Sequence, residues 1–443
     1  MPGNRKRLRI GFVGTFEVAN FGDCLFPVIY KRLLEDRIPN CEFLYYSPKS
    51  GMSPLGHYGP IKALPATLDD IQFDADTLIQ CGGETLALGH SAGTYNFPSN
   101  TLSAFARMWF APTVAASRGD LNFYVHSVGM PTTDLQPKTA ISRGLAYASR
   151  VSLRDKVSAA RLDDAFPVEV DPMFAMSTCL EPDEWRAKAE RVLPAGYEPG
   201  RYLCAHISAP YLVYGLRPWC EQVLRAHERS ELPILLLPIC HFLWDRETLD
   251  AARSMLAEMG VPEAAIQFPK PGSEEVLATA ALIGNSAGIM TSSLHALVSA
   301  VSFGIPFAGF GGEGKVDGKH RQTLAAAGTQ HGVAAHMKEL SDALAKSMSQ
   351  DHSDARVVAI ERALKGLDPL VADIEGHRDG RSQTPSPMPQ DLIEEVLATD
   401  RQPTLNRAWE VKRQLLRFIK RLPIAEKALA TRRRSRLLAD AAG

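Results

Sequence analysis

Residues 287–310 read AGIMTSSLHALVSAVSFGIPFAGF, and this pattern predicts a buried strand, an apolar helix and a second buried strand. The runs AGIMTS (287–292) and IPFAGF (305–310) are short and apolar, as is typical of strands in a parallel sheet. The intervening helix places His295 in its first turn, at the carboxyl end of the first strand. This imidazole is either a core histidine with satisfied nitrogens or a side chain that faces a ligand.

The same alternation of apolar runs and helical segments extends along most of the chain. Seven further runs predict strands at 8–14, 41–47, 76–82, 121–129, 150–155, 201–208 and 232–239. Continuous apolar strands that alternate with helices form parallel sheets, so we expect an α/β protein of two doubly wound Rossmann-like domains facing a cleft. The strand-free interval 176–200 marks the junction. The expected segments are domains at 1–178 and 179–370, a linker with a short helix at 371–400, and a basic amphipathic helical tail at 401–443.

Composition argues against several functional classes. The formal net charge is −1, so we expect no nucleic-acid partner. The seven cysteines are odd in number and form no C-x-x-C pair, which argues against a zinc site and favours a reducing compartment. We expect no metal and no cofactor, because the glycine motifs of dinucleotide and ATP sites are also missing from the sequence. Without a run of 18 apolar residues or a signal-peptide pattern, the sequence predicts a cytoplasmic protein.

Positive charge is concentrated at the end of the chain. Residues 401–443 hold twelve Lys/Arg and three Asp/Glu, a balance of +9, so residues 1–400 carry −10. Apolar residues such as Trp409, Leu415 and Phe418 lie among these cations, which indicates an amphipathic helix. Such a helix binds either an anionic membrane surface, at the inner face of the cell membrane, or an acidic surface of the protein itself.

Two glycine-containing stretches follow predicted strands. In GFVGTFEVANFGDCLF (11–26), Asp23 lies at a helix start and is either a helix cap or a ligand-facing carboxylate. In CGGETLALGH (81–90), Gly82 and Gly83 either allow close approach of a ligand or form a tight turn. Both stretches end at the sheet edge where α/β proteins bind ligands.

Cationic residues lie at the same predicted edge. Arg154 ends the strand at 150–155, and its planar guanidinium suits a carboxylate or phosphate, although a surface ion pair is the alternative. Lys315 lies in the loop GFGGEGK (309–315), after the strand that follows His295. Strand ends that bring His295 and Lys315 to one cleft predict an anion site. The helix dipole there lowers the pKa of His295, which favours a neutral ring unless an anion is bound.

Five elements, in this order, resemble the polysaccharide pyruvyl transferase family. They are ANFGD with Asn20 and Asp23, a strand followed by Gly82-Gly83, RDKVS (154–158), DPMF (171–174), and Ser292-x-Leu294-His295 with Gly-Ile-Pro (304–306) and Lys315. The resemblance covers about residues 10–320. It implies a fold similar to glycosyltransferases with two Rossmann domains, the GT-B architecture.

The resemblance also implies a reaction. The pyruvyl group of phosphoenolpyruvate would move onto a sugar of a polysaccharide or lipid-linked glycan, forming a ketal and releasing phosphate. Arg154 and Lys315 would hold the donor's anionic groups, while His295 would contact the phosphate or act as the acid and Asp23 would activate an acceptor hydroxyl. The other implied substrate contacts are Asn20, Gly82, Gly83 and Ser292.

One position departs from the family pattern. Ser293 stands before Leu294-His295, where the family usually has Arg, and a lost charged hydrogen bond costs about 1.5–3 kcal/mol. Either Lys315, Arg246 or Lys319 compensates, or the substrate differs. Two alternatives therefore stay open: a nucleotide-sugar glycosyltransferase of the same architecture, and a non-catalytic glycan-binding relative.

Overall fold

The chain forms two parallel sheets. The computed structural model describes residues 7–56, 58–90, 95, 97–131, 138–314, 318–329, 332–379 and 386–401. Within these residues the first sheet has the order β3-β2-β1-β4-β5-β6, and every strand pair is parallel. Its strands are β1 (Leu8–Val13), β2 (Cys41–Ser47), β3 (Ile61–Ala63), β4 (Thr77–Cys81), β5 (Asn122–Val128) and β6 (Arg150–Leu153).

The second sheet repeats this topology. Its described strands are parallel and have the order β9-β8-β7-β10-β11-β12, so each sheet read within its own domain has the order 3-2-1-4-5-6. That is the order of the doubly wound dinucleotide-binding fold. The strands are β7 (Leu203–His206), β8 (Ile234–Leu236), β9 (Ile266–Gln267), β10 (Gly288–Thr291), β11 (Phe307–Phe310) and β12 (Val333–Ala334). The predicted α/β class with two doubly wound halves is confirmed.

Helices connect the strands and cover both sheets. The described α-helices are α1 (Phe21–Glu35), α2 (Ala104–Arg118), α3 (Lys138–Leu145), α4 (Lys156–Arg161), α5 (Pro182–Val192), α6 (Leu216–Ser230), α7 (Asp245–Glu258), α8 (Val276–Gly284), α9 (Leu294–Phe303), α10 (Lys319–Ala326), α11 (Leu340–Met348), α12 (Ser353–Arg378) and α13 (Gln390–Asp400). None of the helices in these described ranges combines the length and apolarity needed to cross a membrane.

Helix α9 is buried on all sides, which explains why its sequence is apolar on all sides. Its residues from Ala296 to Ser302 are all buried. The two hydroxyls in this stretch are satisfied locally: Ser299 donates to the His295 carbonyl at 2.8 Å, and the Ser302 hydroxyl accepts from the Ser177 amide at 3.0 Å. The helix is thereby fixed, and its first turn is held at the carboxyl edge of the second sheet.

The chain returns to the first domain after the second sheet. Helix α12 runs past residue 370 to Arg378, and its Asp368 pairs at 3.1 Å with Arg37, which follows the end of α1. Helix α13 packs on the core of the first domain through Leu392 and Val396. Asp400 at its end is buried and accepts hydrogen bonds from the amides of Gly89 and Ser103, each at 2.8 Å. Of the basic helical tail predicted at 401–443, residues 402–443 lie outside the described residues.

All nine predicted strands are present. The described sheets contain three more strands, β3, β9 and β12, which have two or three residues each. Two of these, β9 and β12, are the edges of the second sheet, and β3 is an edge of the first. Segments this short show no periodicity, which is why the sequence did not reveal them.

Candidate active site

A cavity of about 370 Å³ lies between the two domains. Its lining follows the carboxyl ends of strands in both sheets, where doubly wound folds bind ligands. The first domain contributes Asn20, Asp23, Gly83, Glu84 and Arg154, and the second contributes Ser208, Pro210, Tyr211, Cys240, Leu243, Ser292, Ser293, Leu294, His295, Lys319 and His320. Six of the predicted site residues line this cavity: Asn20, Asp23, Gly83, Arg154, Ser292 and His295.

Asp23 lies in the first turn of α1. It does not cap the helix, because Asn20 holds the cap position and uses its side-chain amide to donate to the Asp23 carboxylate at 2.9 Å. Burial raises the pKa of Asp23 to about 6, although hydrogen bonds from Thr15 and Asn20 oppose the shift. Asp23 is therefore ionised at neutral pH yet close to the range in which it can exchange a proton.

Gly82 and Gly83 form a tight turn with positive φ, +66° and +74°. A Cβ on Gly82 would lie 2.0 Å from the ring of Phe26, so this position requires glycine for packing as well as conformation. Gly82 is not among the cavity-lining residues, whereas Gly83 is. The turn places the next residue, Glu84, in the cavity.

Arg154 is buried, with 2% of its side chain exposed. Its guanidinium lies 3.4 Å from a carboxylate oxygen of Glu84 and 3.4 Å from one of Asp155. Arg154 therefore does form ion pairs, as the alternative interpretation expected. These pairs lie at the buried wall of the cavity, however, and not at the protein surface.

His295 spans the domain junction. Its ring packs edge-on against Phe26 of α1, with 5.4 Å between centroids, and lies so close to Gly22 that a Cβ there would be 1.9 Å from Nδ1. Nε2 is buried and has no hydrogen-bond partner in the described part of the protein. Burial, together with the charges of Arg154 and Lys319, lowers the pKa of His295 to about 3, so the ring is neutral at pH 7.

A hydrogen-bond network positions the serines of the second domain. The Ser292 hydroxyl accepts from the Ser208 amide at 2.9 Å, and the Ser208 hydroxyl donates to Asp245 at 2.9 Å. Asp245 is fully buried and also contacts Nε2 of His206 at 2.7 Å. Ser293, where the family usually has Arg, caps α9 by accepting from the Ala296 amide at 3.4 Å.

Lys319 supplies a cation to the cavity wall. It begins α10, and its ammonium lies 3.2 Å from the carboxylate of Glu84. Next to it, His320 contacts the Ser292 carbonyl through Nε2 at 3.2 Å, and burial followed by the charge of Lys319 lowers its pKa to about 3. Lys315 lies outside the described residues. Arg246 is not in the cavity wall: it stacks on Phe268 at 3.6 Å.

Glu84 and His320 were not identified from the sequence. Glu84 stands directly after the predicted Gly-Gly turn, so its position at a strand end was a usable signal. His320 carried no such signal, because it lies ten residues beyond Phe310, where β11 ends. In the described residues no group of three His, Cys, Asp or Glu side chains has the geometry to hold a metal ion.

The sequence profile of the polysaccharide pyruvyl transferase family matches residues 20–313. No curated protein sequence matches the chain.

Among solved structures, UDP-GlcNAc 2-epimerase from Methanocaldococcus jannaschii is similar, with 13% identity and a TM-score of 0.51 over 82% of this chain and 99% of that one. A glycosyltransferase from Rickettsia africae ESF-5 has 10% identity and a TM-score of 0.51 over 85% of this chain and all of the other. At such identities the likeness establishes the fold alone, which is GT-B-like.

Proposed function

The chain belongs to the polysaccharide pyruvyl transferase family, and from this premise we propose that it moves the pyruvyl group of phosphoenolpyruvate onto a sugar of a polysaccharide or lipid-linked glycan. The product is a ketal, and phosphate is released. The observation that carries this proposal is the meeting of Arg154, Lys319 and His295, from two domains, in one cavity that also holds Asp23.

The two cations supply what an anionic donor needs. A guanidinium binds two oxygens of a carboxylate or phosphate at once, and an ammonium adds a compact charge. Lys319 thus takes the role that the sequence left to Lys315, Arg246 or Lys319, and it offsets the missing Arg at Ser293. Arg154 and Lys319 approach Glu84 from opposite domains, so a donor between them contacts both halves of the protein.

The chemistry requires balanced proton transfers. One acceptor hydroxyl adds its oxygen to C2 of the enol and gives its proton to a base, while C3 gains a proton from an acid and becomes a methyl group. The second hydroxyl then forms the other C2–O bond as the C2–O bond to phosphate breaks, and its proton passes to a base. Asp23, with its pKa at about 6, suits the role of base. Burial and, after it, the charges of Arg154 and Lys319 lower the pKa of His295, so a phosphate that counters these charges would shift the ring toward the protonated form that an acid needs.

The test incubates the full chain with phosphoenolpyruvate and glycan fractions, and measures phosphate release together with acid-labile pyruvate on the glycan. We expect R154A and H295A to lose transfer, since each removes a group from the cavity wall. R246A is the matched control, because it removes a cation that lies outside the cavity, and it should keep transfer. Retention of transfer by both R154A and H295A would contradict these roles.

A parallel incubation with nucleotide sugars tests the alternative that the protein is a nucleotide-sugar glycosyltransferase. Release of a nucleoside diphosphate without phosphate would identify a glycosyltransferase instead. Binding of glycan with no product from either donor would identify a non-catalytic relative.

We further propose that residues 401–443 bind an anionic membrane surface and hold a cytoplasmic enzyme at the inner face of the cell membrane. The charge of +9 in this segment supports the proposal. Sedimentation of the full chain with phosphatidylserine vesicles, and not with phosphatidylcholine vesicles, is the expected result. Equal sedimentation with both would argue that charge does not guide the tail.

A further inference from the structure

Glu84 occupies the centre of the cation pair. The same carboxylate oxygen lies 3.4 Å from Arg154 of the first domain and 3.2 Å from Lys319 of the second. About a quarter of the Glu84 side chain is exposed, so the carboxylate borders the open cavity. Arg154 and Lys319, the two cations proposed to bind the donor, therefore already share the carboxylate of Glu84.

The backbone holds Glu84 in this position. It follows the two left-handed glycines and forms a parallel bridge with Gly129. Gly129 in turn donates to the Gly83 carbonyl at 2.8 Å, and a Cβ on Gly129 would lie 2.8 Å from the Arg154 guanidinium. Glu84 and Arg154 are thus fixed relative to each other, and their contact does not depend on a flexible loop tip.

The two cations at the cavity are already paired with carboxylates without a ligand. Arg154 and Lys319 are positive, whereas Glu84 and Asp155 are negative and each contacts Arg154. The ring of His295 is neutral. An entering anion meets no uncompensated cation among these groups, so it must take the place of the Glu84 carboxylate to gain a full ion pair.

We propose that Glu84 is a specificity-determining residue: an internal counter-anion that a ligand must displace from Arg154 and Lys319. A ligand with one anionic group restores at most the two ion pairs that it disrupts, so it gains little over Glu84. A ligand with two separate anionic groups, such as a carboxylate and a phosphate attached to the same carbon, gives each cation a partner of its own. Glu84 thereby selects doubly anionic donors against inorganic phosphate and pyruvate. The identity of the donor rests on the proposed function, whereas the competition between Glu84 and an anion does not.

The test measures binding of inorganic phosphate, pyruvate and phosphoenolpyruvate to the full chain by calorimetric titration. E84Q removes the charge and keeps the shape, so its affinity for phosphate should rise about tenfold, the effect of one removed like charge at partly screened contact distance. The preference for phosphoenolpyruvate over phosphate should shrink accordingly. E190Q is the matched control: Glu190 pairs with Arg186 on the exposed face of α5, and its loss should leave all three affinities unchanged.

A phosphate affinity in E84Q equal to or below that of the unmodified protein overturns the proposal, because Glu84 would then position the cations and not compete for them. E84D provides a second reading if E84Q does not fold: its shorter side chain withdraws the carboxylate, and a smaller rise in phosphate affinity is expected, while no rise overturns the proposal. If E84Q gains phosphate binding but no pyruvyl transfer occurs with any glycan, the counter-anion stands and the proposed reaction fails.

Discussion

His295 packs against Gly22 across the domain junction at the candidate site, and Gly22→Ala tests what that contact does. A Cβ at this position would lie 1.9 Å from Nδ1 and 2.3 Å from Cγ of His295. Ordinary van der Waals contact begins at 3.4 Å, so the ring would have to retreat by about 1.5 Å. The adjacent Phe26 ring, 5.4 Å from the imidazole centroid, limits the directions in which it can move.

The expected effect on stability is the difference of two opposing contributions. Gly22 is the second residue of α1, and the preference for alanine over glycine there is no larger than the value for a helix interior, about 1 kcal/mol. Overpacking of a filled site costs about 1–3 kcal/mol. We therefore expect the free energy of unfolding to fall by up to about 2 kcal/mol. A displacement of about 1 Å of a catalytic group costs on the order of 100-fold in rate, so transfer should fall by at least that factor.

Gly376→Ala is the matched control. Gly376 lies inside helix α12, and a Cβ there would meet nothing within 4 Å. The control should gain about 0.5–1 kcal/mol in urea unfolding and leave transfer unchanged. If Gly22→Ala gains the same stability and keeps full transfer, then His295 is not held against the α1 backbone, and its assignment to the reaction loses its geometric basis.

Three further predictions concern buried ionisable groups. The pKa of His295 is about 3 in the folded protein and 6.5 ordinarily, so between these values only the unfolded chain binds this proton, and stability falls as the pH drops. H295N removes this effect. In urea titrations the unfolding free energy of the unmodified protein should therefore drop by about 2 kcal/mol more than that of H295N between pH 7 and pH 5. D400A leaves the Gly89 and Ser103 amides without their acceptor, so it should lower the free energy of unfolding by about 2–4 kcal/mol. It should also expose α13 to limited proteolysis. Unchanged cleavage would show that other contacts hold this helix. D245N should lower the melting temperature by several degrees, because Asp245 accepts hydrogen bonds from Ser208 and two backbone amides in a fully buried site. D250N, on the exposed face of the same helix, should change the melting temperature little. Equal effects of the two variants would argue against a special role for burial.

The fold was predictable because its strands are continuous apolar runs. In β4 every residue is buried, and TLIQC reads as a strand without alternation because both faces of the sheet are covered. Helix α9 posed the opposite problem, since it is apolar on all sides and shows no periodic face. Its length and the following Gly-Ile-Pro identified it. Strands of two residues, such as β9, depend on pairing with a neighbour and leave no mark in the sequence.

The candidate site was predictable only as far as strand ends could be identified. Asp23, Arg154 and His295 each follow a strand, and the rule that ligands lie at the carboxyl edge of a parallel sheet brought them together. Their partners could not be found in this way. The contact of Glu84 with Lys319 joins residues 235 positions apart and depends on how the two domains face each other, which periodicity within either domain does not encode.

The ion pair between Lys319 and Glu84 has two effects at the cleft. It links the two domains, and it compensates the charge of Lys319. An anion that replaced Glu84 would have both effects, because it would contact Arg154 on one side and Lys319 on the other. If Glu84 acts as we propose, anion binding exchanges one interdomain ion pair for another and does not require the domains to separate. The neutral His295 is held against Gly22 across the same junction, so both domains define its position beside such an anion.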